Sequence, residues 1–253
     1  MNIQNAKQEF FKFTNQYDLT FPKMKRKLEH SFRVMENARN ISKSLNLNND
    51  EIEIATLIGL LHDIGHFEEI KEKDILKENT KIDHGDFGVE ILKNNNYIRK
   101  YIEENEYDNI ILKAIKNHNK FKIEDGLSNK ELLFSKIIRD ADKLDIFYEG
   151  AEMFWTQAEQ VQEINNSKVS DTVMQNFSKH VYFDRKHLKT KADSIIHFIS
   201  LIYDINFKYD FEIIKKENYI NKILNKFTFK DETTSKQISH VLDITTQYIE
   251  NIL

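Results

Sequence analysis

A chain of 253 residues with one proline and six glycines contains almost nothing to stop a helix. Proline costs roughly 3 kcal/mol and glycine about 1 kcal/mol inside a helix relative to alanine, and both punctuate chains wherever they cluster. Their scarcity predicts an all-α protein. Pro22 suits a first helical turn, where its fixed φ is already helical and its missing N–H would have no partner anyway. The glycines are Gly59, Gly65, Gly85, Gly88, Gly126 and Gly150. All fall in one stretch, which also holds His62, His66, His84 and His118.

Apolar spacing places the helices. One is expected from residue 22 to about 45, with His30, Val34, Ala38 and Ile41 on one stripe. Asp50 with Glu53 reads as a capping box for a helix carrying Ile54, Ala55, Ile58 and Leu61. That helix reaches His62-Asp63 and ends near Gly65. After a polar connector, His84 opens another helix, continued by Gly88, Ile91 and Leu92. Ile111, Ala114, Ile115 and His118 share a face. Leu133, Ile137, Ala141 and Leu144 mark a helix running through Asp145. Beyond Gly150 several more helices follow, the clearest stripe being Ile195, Ile196, Ile199, Ile202 and Tyr203. Residues 207–229 are mixed and leave room for short strands. Asn-rich pieces at 46–49 and 94–96 read as polar loops, and no internal repeat is evident. The expected organisation is a core over 1–150 and a helical extension over 151–253, packed on the core in the same globular unit.

Apolar residues make up 40% of the chain, including 18 Phe and 10 Tyr, enough for a sizeable core. With no cysteine, a disulfide framework and cysteine-based metal sites are excluded. Residues 1–20 mix Lys7, Glu9, Lys12 and Asp18 with apolar positions, so no signal peptide is expected. No apolar run is long enough to span a bilayer. A soluble, cytoplasmic chain without a membrane partner is the expectation. The net charge of −4 lacks the basic excess of duplex nucleic-acid binders. Small phosphorylated ligands stay open, since they need only a few local cations, and so does a homo-oligomer. No nucleophile elbow, P-loop or dinucleotide fingerprint occurs. Glu68-Glu69 and Glu103-Glu104 read as solvated faces.

Chemistry gathers around His62-Asp63, at the end of the most apolar helix. Neighbouring helical positions point about 100° apart, so both side chains can reach an ion only off the helix flank. Burying an unpartnered carboxylate costs several kcal/mol, a cost that a metal ion removes. Alone, the pair reads better as a core histidine and a solvent-facing carboxylate than as a metal site. His30 and His118, however, also sit on apolar stripes. Asp142 continues a third, four and eight residues after Ile138 and Phe134. Several such groups on separate helices suggest convergence on an ion.

Leu61-His62-Asp63-Ile64-Gly65-His66-Phe67, preceded by Glu29-His30-Ser31 and followed by Asp140-Ala141-Asp142-Lys143-Leu144-Asp145, resembles the HD-domain superfamily of metal-dependent phosphohydrolases. The resemblance covers about residues 25–150 and implies an HD-domain-like helical bundle. It implies that His30, His62, Asp63 and Asp142 ligate one metal ion. Asp142 is chosen over Asp140 because Lys143-Leu144 follow it. Asp140 is then either a supporting group or a helix-surface carboxylate, and Asp145 could orient a ligand or water. Some subfamilies carry two further histidines, which hold a second metal bridged by the aspartate of the pair. Asp83-His84-Gly85 and Asn117-His118-Asn119 look like those segments. The plainer alternative is a helix-capping His84 and a core His118. The absence of Gly-Tyr-Pro disfavours a cyclic-dinucleotide phosphodiesterase.

His66 lies four residues after His62, but the zinc-protease pattern needs Glu where Asp63 stands. It reads as a loop residue at the site mouth that gives a proton or hydrogen bond to phosphate, or as a surface histidine. Lys143 and Arg33, adjacent to the implied ligands, are the candidate phosphate contacts. Lys120, Lys122, Lys136 and Arg139 read as solvated. An imidazole and carboxylate set suits one or two ions of Mn, Fe, Zn, Ni or Co rather than calcium. Phe147, Phe154 and Trp155 read as core, and Arg185, Lys186, Lys189 and Lys191 as a solvated turn. His180, His187, His197 and His240 read as structural or surface residues. The resemblance thus implies hydrolysis of a phosphate ester of a small metabolite or nucleotide, with Asp63 central to catalysis. The alternatives are a non-catalytic metal- or nucleotide-binding regulator, and a di-iron oxygenase on the same fold.

Overall fold

The computed structural model describes residues 2–76 and 83–253, the side chains of 72–76 excepted. Among these residues the secondary structure is helical throughout, with no strand. The chain forms two compact units, 1–145 and 146–253. In the first, α1 (Ile3–Thr14), α2 (Pro22–Ser44), α3 (Asn49–Leu61), α4 (Ile64–Leu76), α5 (His84–Lys93) and α6 (Asp108–Asn117) precede α7 (Asn129–Glu152), within which the boundary falls. The connector expected after Gly65 lies partly outside the described residues.

Pro22 opens α2 at its first position, as its chemistry requires. The stripe of α2, Val34, Ala38 and Ile41, is fully buried and packs on α3. Gly59 permits that approach: a Cβ there would lie 2.8 Å from the Cα of Met35. The capping box of α3 is Asn48 with Glu51, not Asp50 with Glu53. Asn48 Oδ1 accepts from Glu51 N at 3.0 Å, and Glu51 Oε2 accepts from Asn48 N at 3.3 Å.

The second correction concerns Gly65. It does not end a helix; it lies in the first turn of α4. Only His62 and Asp63 separate α3 from α4, and the carbonyl of Asp63 accepts from His66 N at 2.9 Å to start the new helix. Gly65 is where α4 meets α5 backbone to backbone. A Cβ there would stand 2.3 Å from the carbonyl oxygen of His84 and 2.5 Å from the nitrogen of Gly88. Phe67, two residues on, is buried against Phe10 and Phe13 of α1, with ring centroids 5.9 and 6.2 Å apart.

The second unit continues with α8 (Ala158–Asn165), α9 (Asp171–Phe177), α10 (Asp193–Ile199), α11 (Lys208–Lys216), α12 (Tyr219–Leu224) and α13 (Glu232–Ile252). Residues 207–229 thus hold α11 and α12 and no strand, although their mixed pattern allowed short strands. Trp155 packs on Phe198, Phe227 and Phe154, with centroids 5.1 to 5.7 Å apart, a core role as expected. Fully buried Asp193 opens α10 and fastens the loop before it. Its carboxylate accepts from Ser170 N and Oγ, Lys189 N and Thr190 N, at 2.8 to 3.1 Å.

Two stability outcomes follow. Gly65→Ala must push backbone against backbone, and denaturant titration should show a loss of at least about 2 kcal/mol, the upper range of overpacking effects. Asp193→Ala removes a buried carboxylate from several part-buried donors and should cost about 1–3 kcal/mol. A loss under about 0.5 kcal/mol, the size of an ordinary surface substitution, would contradict either account.

Candidate metal centre

The site is built where α2, the α3–α4 junction, α5, α6 and α7 converge. His30 and His62 are buried and face each other, their Nε2 atoms 3.2 Å apart. Each ring's Nδ1 has a partner that can only accept. His62 Nδ1 lies 2.8 Å from the carbonyl oxygen of Gly59, and His30 Nδ1 lies 2.6 Å from Asp145 Oδ2. Both Nδ1 atoms therefore carry the proton, and a neutral ring then presents a lone pair at Nε2. Those two lone pairs could both serve one cation placed between them, and without it a proton on His30 Nε2 can bridge to His62 Nε2.

Two carboxylates complete this set. His30 Nε2 is 3.5 Å from Asp63 Oδ2 and 3.1 Å from Asp142 Oδ1. His62 Nε2 is 3.4 and 3.9 Å from the same two oxygens. Ligands held about 2.1 Å from one ion at angles between octahedral and tetrahedral would be spaced about 3.0–3.4 Å apart. The donors fit a divalent metal ion in type, and His30, His62 and Asp63 also fit it in spacing, while Asp142 stands close to His30 and farther, at 3.9 Å, from His62.

The other oxygen of Asp63 faces a second set. Asp63 Oδ1 lies 3.4 Å from His118 Nε2 and 3.5 Å from His84 Nε2. His118 is turned this way by its Nδ1, 2.7 Å from the carbonyl oxygen of Ile115. Asp63 with His30 and His62, and Asp63 with His84 and His118, are both groups that could hold a metal ion. The structure thus brings together all six residues that the resemblance implied as ligands.

Electrostatics follow from burial and neighbours. Burial raises the Asp63 carboxyl, but Lys27, His62 and His118 outweigh it and hold the group well below the usual carboxylate range. Lys27 Nζ lies 2.6 Å from Asp63 Oδ2. Burial and Lys27 push the His30 ring down, yet its hydrogen bonds to Asp142 and Asp145 prevail and raise it to about 9. Burial also raises the Asp142 carboxyl, and His30 and His62 more than reverse that.

His66 lies in α4, not in a loop, and is half-buried. Its Nδ1 is 4.0 Å from Asp63 Oδ1 and 3.3 Å from Glu69 Oε2. Burial drives it down to about 3, so the ring is neutral near pH 7 and suits hydrogen bonding rather than proton donation. Glu69 is no solvated face. It is buried, and its Oε2 also lies 3.3 Å from His84 Nδ1. Its neighbour Glu68 accepts from Tyr17 Oη at 2.6 Å.

Several cations near the ligands are fasteners. Arg33 forks onto both oxygens of Asp145, at 2.6 and 3.0 Å, and so steadies the group that orients His30. Lys143 is buried and donates back to the carbonyl of Arg139 at 3.3 Å. Arg139, buried rather than solvated, donates to the carbonyl oxygens of Asn117, His118 and Lys120, closing the end of α6. Lys120 pairs with Asp83 and Asp86 at 2.5 and 2.6 Å, tying the start of α5 to the residues just beyond α6. Lys122 pairs with Asp125 at 3.0 Å. Asp140 is fully buried, which removes the surface reading. Lys27 and Glu69 had not been singled out as site residues. Their signals are spacings of three residues, Lys27 before His30 and Glu69 after His66.

Fold and site together define an all-α domain built around a His/Asp cluster that could hold metal. Residues 28–146 match the family model described as HD domain, a module found mostly in metal-dependent hydrolases. Comparison with curated proteins gives no match, and neither does comparison with solved structures. No helix among the described residues is long and apolar enough to cross a membrane.

Asp145→Asn keeps the shape but removes the charge that both His30 and Arg33 use. Metal affinity should fall about 10- to 100-fold, the usual cost of losing a group that orients a ligand. Competition with a chelating dye measures it, and an unchanged affinity would refute the positioning role.

Proposed function

We propose that this protein is a metal-dependent phosphohydrolase, acting on a phosphate ester of a small metabolite or nucleotide with two divalent transition-metal ions. The observation that carries the reading is the division of Asp63, with Oδ2 among His30, His62 and Asp142 and Oδ1 beside His84 and His118. A carboxylate shared between two imidazole sets is the arrangement a bridged pair of ions requires. When bound, such ions supply Lewis acidity, which favours ionised water and neutralises phosphoryl charge.

The chain's own groups do the rest. Asp145 and the Gly59 carbonyl hold protons on Nδ1, so that the Nε2 atoms of His30 and His62 face inward. Arg33 works through Asp145. Lys27 stands beside Asp63, where an ammonium would also attract a phosphoryl oxygen. His66, kept neutral by burial, offers a hydrogen bond at the mouth of the site. Burial of His30, His62 and Asp63 keeps bulk water out, which strengthens each of these interactions.

Metal analysis of protein purified without chelator should find two ions per chain. His84→Ala or His118→Ala should reduce this to one. Asp63→Ala should lose both the metal and the hydrolysis of phosphate esters. A wild-type protein with no transition metal and no metal-stimulated esterase activity would sink the reading. Oxygen consumption by an iron-loaded form would favour oxidation instead.

A further inference from the structure

In the four imidazoles set around Asp63, Nε2 faces that carboxylate and Nδ1 faces another oxygen. The outer oxygens fall into a pattern. His62 and His118 turn Nδ1 to the carbonyl oxygens of Gly59 and Ile115, each three residues earlier, at 2.8 and 2.7 Å. His30 and His84 turn it to carboxylates instead, Asp145 at 2.6 Å and Glu69 at 3.3 Å. Each set on Asp63 thus pairs one carbonyl-backed ring with one carboxylate-backed ring.

Glu69 reaches His84 because α4 lies so close to α5. It stands one turn after Gly65, the residue at which the two backbones meet. Its side chain is only 8% exposed, and burying a carboxylate costs several kcal/mol unless neighbours compensate. The same Oε2 lies 3.3 Å from His66 Nδ1, so one oxygen faces two rings. The His84 contact is longer than that of Asp145 with His30 and is not an aligned hydrogen bond, so it acts through charge. A neutral ring that gives its Nε2 lone pair to a cation must carry its proton on Nδ1. A carboxylate beside that N–H fixes the ring and strengthens Nε2 as a donor.

We propose that Glu69 is the positioning residue of the second imidazole set, doing for His84 what Asp145 does for His30. The proposal rests on the two-ion reading above. The first set also has Asp142 beside its rings, whereas Glu69 is the carboxylate that backs a ring of the second. Glu69 therefore acts through His84 and on one ion rather than on both.

The test is a calorimetric titration of zinc into the metal-free full chain, for the wild type, Glu69→Met, His84→Ala and the double variant. Glu69→Met removes the carboxylate at similar length. It should weaken one ion about tenfold, the lower end for loss of a group that orients a ligand, and leave the other within about twofold. In the His84→Ala background it should change nothing further, the mark of a residue that acts through another. Glu69→Gln keeps the shape and an acceptor oxygen, and in the same cycle it should lose less than Glu69→Met. Unchanged affinities in both Glu69 variants, equal weakening of both ions, or a loss that persists without His84 would overturn the proposal, whatever number of ions the wild type holds. A wild type with one ion, weakened by Glu69→Met only while His84 is present, would end the two-ion reading and keep the role of Glu69.

Discussion

The architecture of the first unit depends on a pair of imidazoles set against each other. His30 and His62 approach to 3.2 Å through nitrogens whose ring partners already hold the protons. Two bare lone pairs would repel at that distance, and either a proton on His30 Nε2 or a metal ion between the rings removes the repulsion. The surrounding structure accounts for the rest of the arrangement. Asp63 and Asp142 supply negative charge, Asp145 and Arg33 fix His30, and a backbone carbonyl fixes His62. Five elements are held in register so that side chains distant in sequence share a few ångströms.

That register is maintained by groups that do not face the centre. Arg139 closes the end of α6 from three residues before Asp142, so α6 and α7 are located by one side chain. Lys120 holds Asp83 and Asp86 at the start of α5, which sets His84 beside His118. Gly65 lets α4 and α5 meet closely enough for His66, Glu69 and His84 to converge. Charges and a missing side chain do here what apolar packing alone could not specify.

Much of this was legible in the sequence. The helices followed from scarce breakers and regular apolar spacing, and His30, His118 and Asp142 stood out as polar groups on apolar stripes. What the sequence hid was the partner of each charged group. Asp50-Glu53 and Asn48-Glu51 both satisfy the capping pattern, and only the hydrogen bond from Glu51 N to Asn48 decides between them. Gly65 carries the same signature whether it stops a helix or admits a neighbouring backbone. Glu69 looked solvated because the rings that cover it come from its own helix and from α5. Arg33 and Lys120 have the composition of phosphate contacts, yet their partners are carboxylates that come from other helices or from a turn distant in sequence.

One carboxylate placed between two sets of imidazoles cannot serve them independently. Charge drawn toward a cation at Oδ2 of Asp63 weakens Oδ1 as a donor, and the converse holds with the same free energy. The two sets are therefore thermodynamically linked. Under the proposed two-ion reading, filling one would alter the affinity and the metal preference of the other through a single side chain.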